Sequence, residues 1–201
     1  EQWAQFAVAG PNSRKLLEKI INKEYDISNL KFPYMGCKKI TVCNNIPARL
    51  FRISFSGELA YEIAVPSRYG NSMFKVLMDA GSEFNVVAYW TEALGVMRIE
   101  KGHAAGNELN GQITAQNLGL EKMMSKKKDF VGNVLSRRSE LNKEGIVKLV
   151  GFKPVNKEIE LKAGAHFISL GKEACTKNDE GWMSSVAFSP SLNHSIGLGF
   201  I

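Results

Sequence analysis

The chain has 201 residues, 44% hydrophobic and 23% charged, with a net charge of +6. This is globular composition, long enough for one domain or two small ones, with no apolar run of membrane-spanning length. Cys37, Cys43, Cys175 and His103, His166, His194 lack metal-ligand spacing, which argues against a disulfide scaffold or zinc site and for a reducing compartment, taken here as the cytoplasm.

The charge comes more from Lys than from Arg, and its densest run is Lys126, Lys127 and Lys128, with Lys122 just before. Such a run reads as a solvated loop. Aromatics interleaved with Arg, which mark a nucleic-acid reader, are missing, so an anionic small ligand is the better match. The chain opens without Met and closes at Gly-Leu-Gly-Phe-Ile, inside an apparent strand. It is therefore expected to be a piece of a longer polypeptide.

In chain order, Phe6 to Ala9 reads as a short strand ending at Gly10-Pro11. Asn12 or Ser13 then caps a helix to about Ile21, with Leu16, Leu17, Ile20 and Ile21 as its buried stripe. Lys38 to Val42 and Ala48 to Phe55 read as strands around a turn at Asn44-Asn45.

In the next strand, ending at Pro66, Leu59, Tyr61, Ile63 and Val65 point one way and Ala60, Glu62 and Ala64 the other. The first set is a core face. The second holds one carboxylate between small neighbours, with room above it for a planar donor pair. A surface acid paired with Arg52 fits the same pattern and is the commoner case.

Ser67 is expected to cap a second helix carrying Tyr69, Met73, Val76, Leu77 and Ala80, with Gly81 as its stop. Val86 to Ala88 reads as a strand, and Thr91 caps a third helix to Gly102. There Leu94, Met97, Arg98 and Lys101 share one stripe. Arg98 either lays its stem over apolar surface and reaches water, or is held by a buried acid. Gly95 on this helix is expected to admit another backbone.

Residues 103–133 read as a long connector, and the polar stretch 136–146 as a domain boundary. Beyond it, 147–152, 166–170, 183–188 and 196–201 read as short strands of a small antiparallel barrel or sandwich.

Taken together, residues 7–17, 54–63, 95–102, 112–120, 127–132 and 181–192 resemble the folate-binding T-protein (aminomethyltransferase) family. Within it, Met-Arg-Ile-Glu-Lys-Gly (97–102) and Ser-Lys-Lys-Lys-Asp-Phe-Val-Gly (125–132) resemble the C-terminal part of sarcosine oxidase alpha subunits of the heterotetrameric type. The resemblance implies an α+β fold: the second half of a folate-binding aminomethyltransferase-like domain over 1–135, built of ferredoxin-like hairpins and helices, then a small antiparallel β-barrel over 146–201.

The implied function is binding of tetrahydrofolate and capture, as 5,10-methylenetetrahydrofolate, of the one-carbon unit released when sarcosine is oxidised. By motif, Glu62 contacts the pterin and Arg98 lines the same site. Tyr61 has a weaker claim, since alternation turns it to the opposite face. The lysine run is a further candidate, for folate's glutamate tail.

The family's catalytic aspartate would lie upstream, so this piece has no catalytic residue and is expected to be inactive alone. Ala115 stands where the family usually has Pro. The chain has no Gly-x-Gly-x-x-Gly, so FAD or FMN and NAD are expected only in the rest of the complex. Expected partners are folate and the other sarcosine oxidase subunits, with no nucleic acid and no membrane. The alternatives are a stand-alone folate-dependent aminomethyl- or methyltransferase, and a non-catalytic assembly domain of the same fold.

Overall fold

Trp3–Ala9 (β1), Cys37–Val42 (β2), Ile46–Phe51 (β3) and Ala60–Pro66 (β4) pair into one antiparallel sheet of order β1-β4-β3-β2 in the computed structural model, which describes residues 2–201. Period-two alternation along β4 places Tyr61, Ile63 and Val65, all with no exposed surface, on one side. Val8 pairs with Tyr61 and Leu50 with Ile63, so neighbouring strands extend the same apolar side.

Two helices cover it. Ser13–Ile20 (α1) buries Leu16, Leu17 and Ile20, and Gly70–Gly81 (α2) buries Met73 and Leu77. Each such side chain contributes roughly 1.5–3 kcal/mol by leaving water. The β2–β3 turn runs through Cys43, Asn44 and Asn45 at φ 45°, 64° and 78°, the positive-φ conformation whose twist matches a tight hairpin. On the edge strand β2, the Lys38 ammonium lies over the Tyr25 ring, 5.5 Å from its centroid.

Several local expectations change. Ser13 opens α1, and its hydroxyl donates to Leu59 O at 3.0 Å, tying the helix to the start of β4 instead of capping it. Ser67 begins a 3-10 turn, Ser67–Tyr69, that leads into α2. Gly81 is the last residue of α2, but in right-handed conformation and not as a left-handed cap. The chain continues through a 3-10 turn, Ser82–Phe84, and reverses at Asn85 with φ 56°. A Cβ on Gly81 would meet Leu16 Cδ1 and Val86 at 2.7 Å, so glycine is there for close packing.

Val86–Ala88 is not a strand. The Val86 N–H closes back on Gly81 O at 3.2 Å, and among the described residues no strand pairs with this stretch. Thr91–Lys101 forms α3. Around Gly95, no described atom lies within 4 Å of where a Cβ would sit, so no backbone approaches it.

The chain divides into two compact units between Leu94 and Gly95. In the second, Leu149–Phe152 (β5), His166–Phe167 (β6), Gly181–Ser189 (β7) and His194–Phe200 (β8) make an antiparallel sheet of order β5-β8-β7-β6. A register shift between Met183 and Ser185 bends β7, and the sheet curls into an open half-barrel. The stretch 136–146, expected as a divide, lies inside this unit and carries the 3-10 turns Leu135–Arg137 and Ser139–Leu141. Among the described residues no helix is long and apolar enough to cross a membrane.

β7 begins at Gly181, where φ is 148° and an added Cβ would sit 1.9 Å from Phe200 O. Gly181→Ala is therefore expected to destabilise the second unit by about 1–3 kcal/mol, read as a lower denaturant midpoint. An unchanged midpoint would show that β8 can yield there.

Candidate functional site

The side of the first sheet opposite α1 and α2 carries Glu62. Register gives its surroundings: Glu62 pairs with Ala7 on β1 and Phe51 on β3, and Ala64 pairs with Gln5 and Arg49. Ala60 and Ala64 flank the carboxylate on its own strand. They are themselves covered, at 6% and 3% exposure, whereas Gln5, Ala7 and Arg49 are exposed and Glu62 is half-buried.

Gln5 Nε2 donates to Glu62 Oε2. The acid is thus held by an amide from the edge strand, and among the described residues none donates to Glu62 Oε1. Tyr89 completes the surroundings. Its phenol is pushed above the usual value of 10.0, first by burial and then by the Glu62 charge.

Arg52, the partner considered for Glu62, instead donates to Phe32 O at 2.8 Å. Arg49 is the arginine on the Glu62 side. Its guanidinium carbon lies 4.0 Å from the centroid of the Trp3 ring. Tyr61 is wholly buried in the core, where its hydroxyl accepts from Arg14 Nε at 2.8 Å.

Arg98 belongs to the second unit and, of the two alternatives, is held by a buried acid. That acid is Glu108, with no exposed surface. Arg98 Nη1 donates to Glu108 Oε2 at 2.8 Å and to His103 O at 3.4 Å, and Nη2 donates to Ser185 Oγ at 2.7 Å. Ser185 in turn donates its hydroxyl to Glu108 Oε1 at 2.7 Å, Ser184 donates to the same oxygen, and the Ala105 N–H donates to Oε2 at 3.0 Å. Burial raises the Glu108 pKa, but the bonds from Ser184, Ser185 and Ala105, with the Arg98 charge, outweigh it and hold the carboxyl below 4.5. The cluster joins α3 to β7.

Gln5, Arg49, Tyr89 and Glu108 were not singled out from sequence. Alternation within β1 and β3 carries the signal for the first two, as polar residues flanked by apolar ones. Glu108 has none, because it sits in a Gly- and Asn-rich stretch without periodicity. Among the described residues no group of His, Cys, Asp and Glu is arranged to hold a metal ion.

Against known families, residues 1–128 match the GCVT N-terminal domain. The chain belongs to the GCVT family. It is 42% identical, over its whole length, to the sarcosine oxidase subunit alpha of Rhizobium meliloti (strain 1021), and covers 20% of that protein. It is 41% identical to the subunit alpha of Corynebacterium sp. (strain P-1), again over its whole length and 21% of the relative. The aminomethyltransferase of Aquifex aeolicus (strain VF5) is 31% identical over 98% of the chain and 49% of that enzyme.

The chain thus spans about a fifth of the sarcosine oxidase alpha subunits that it resembles. In fold, it superposes on the crystal structure of glycine cleavage system aminomethyltransferase T from Bartonella henselae with a TM-score of 0.76. The match has 21% identity and covers 99% of this chain and 51% of that one. The GCVT chain described here is therefore an α+β protein of aminomethyltransferase-like fold.

Since its pKa is depressed, Glu108 contributes stability that is complete above the ordinary value of 4.5 and is lost as pH falls through the lowered one. Glu108→Ala, which leaves Arg98 without its counter-charge, is expected to cost about 3–5 kcal/mol. Glu108→Gln should flatten the acid side of the stability–pH curve, measured by denaturation from pH 7 downward. An unaltered acid side would remove Glu108 as its source.

Proposed function

We propose that this chain is a tetrahydrofolate-binding part of a sarcosine-oxidising enzyme, in which folate captures the released one-carbon unit as 5,10-methylenetetrahydrofolate. The single observation carrying this reading is Glu62, a half-buried carboxylate on the helix-free side of a sheet, held at one oxygen by Gln5 and flanked by alanines. A pterin presents its 2-amino group and a ring N–H as parallel donors, and a carboxylate accepts both. The similarity to sarcosine oxidase alpha subunits at 42% identity supports the oxidase setting over the stand-alone transferase, whose relatives stand at 31%.

The residues fit the group. Glu62 would hold the pterin edge, Gln5 keeps the carboxylate turned outward, and the half-buried Phe51 and Tyr89 supply aromatic surface at its flanks. Bound folate supplies the nitrogens that take up the one-carbon unit. Arg98 is proposed as a ligand-contacting residue of the second unit. Three of its five N–H donors are occupied by Glu108, His103 and Ser185, so the remaining two are what it offers a ligand. The fully buried Tyr61 acts through the core beneath β4.

Flavin and nicotinamide chemistry is assigned by this proposal to other parts of a cytoplasmic multi-subunit assembly. The sarcosine oxidase subunits that carry them are the proposed protein partners. Neither nucleic acid nor membrane is among the partners.

Calorimetry of the full-length protein with tetrahydrofolate tests the reading. The wild type should bind, and Glu62→Ala should weaken binding by roughly 2–5 kcal/mol, the cost of breaking a desolvated charge-assisted pair. Equal affinity in the two proteins would defeat the assignment of Glu62. Binding with no change in sarcosine turnover products would favour an assembly role.

A further inference from the structure

We infer that Arg49 and Trp3 form a second subsite on the Glu62 side of the sheet, one that takes the glutamate carboxylates at the tail of folate. The inference rests on the folate reading of Glu62 and extends it along the sheet.

Arg49 pairs in register with Ala64, two residues from Glu62, and its side chain faces the same way. Its arm crosses β4 at this small residue, and the guanidinium carbon lies over the Trp3 ring on β1, 4.0 Å from its centroid. A guanidinium held over an aromatic face by its charge keeps its N–H donors, because the ring takes up none of them as a hydrogen-bond acceptor in its plane. Among the described residues, no carboxylate pairs with Arg49.

This cation is exposed, has no counter-ion among the described residues, and is already held by its contact with the Trp3 ring. Binding a carboxylate therefore costs little further side-chain ordering. The fork of donors accepts both carboxylate oxygens at once, which a lysine does not do.

Spacing supplies the second half of the argument. Trp3 pairs with Pro66, four residues along β4 from Glu62. A rise of about 3.4 Å per residue and one strand spacing of about 4.8 Å place Trp3 Cα roughly 14 Å from Glu62 Cα. That is comparable with the span of an extended folate from its pterin edge to its glutamate carboxylates. A ligand with its head on Glu62 thus has its anionic end at the Arg49–Trp3 pair. Lys39, paired with Arg49 on the edge strand and also exposed, adds a second positive charge to the same side.

Two ligands separate this subsite from the head-group site: tetrahydrofolate, and 6-methyltetrahydropterin, which has the head and no tail. On the full-length protein, with any subunits that co-purify, Arg49→Ala and Trp3→Ala should each weaken tetrahydrofolate roughly fivefold, as expected for one solvent-accessible ion pair. Affinity for 6-methyltetrahydropterin should stay constant. Arg49→Lys, which keeps the charge and loses the fork, should fall between. Added salt should weaken tetrahydrofolate binding more in the wild type than in Arg49→Ala.

Equal losses for the two ligands, or none for either, overturn the tail subsite while leaving Glu62 in place. Failure of the wild type to bind either ligand overturns the folate reading itself.

Discussion

The first unit depends on the register of β4 between β1 and β3. With side chains alternating every residue, one placement puts Tyr61, Ile63 and Val65 under α1 and α2 and turns Glu62 away from them. A slip by one residue would reverse this, burying a carboxylate and exposing three of the most enclosed side chains. The packing energy that selects the core thereby also aims the acid. The apolar residues on either side of Glu62 choose its face of the sheet, and the Gln5 amide then holds the carboxylate on that face.

The second unit solves a different problem. A carboxylate with no contact to water is costly unless every lone pair is engaged and a counter-charge is near. Glu108 meets that condition through two serine hydroxyls, one backbone N–H and Arg98. The serines lie on β7 and the arginine on α3, so the cluster fixes a helix against a sheet with directional bonds where apolar contacts are few. Ser189, wholly buried on β7, repeats the device by donating to Glu100 Oε1 at 2.6 Å.

What the sequence made legible follows from range. Strand alternation around Tyr61, the apolar stripe of α1 and the Asn44-Asn45 turn are local patterns, and they appear in the structure close to where they were read. Features set by distant neighbours were not legible. Gly81 does end α2, but the reason that it must be glycine shows only once Leu16 and Val86 are seen against it. Val86 and Val87 look like a strand, but no partner strand is there to pair with them. Arg98 announced itself as an arginine beside an apolar stripe, yet its acid lies ten residues on, in a stretch without rhythm. Arg52 was the neighbour that the sequence offered for Glu62, and only the strand register puts Arg49 on that side instead.

Lys38 shares the α1-facing side of β2 with Ile40 and Val42, yet this strand closes one end of the sheet, and the ammonium rests over Tyr25. A further strand added beside β2 would have to cover that charge and strip its water without giving it a partner. The same lysine thus guards the border of the sheet, discouraging copies of the protein from joining end to end into fibrils.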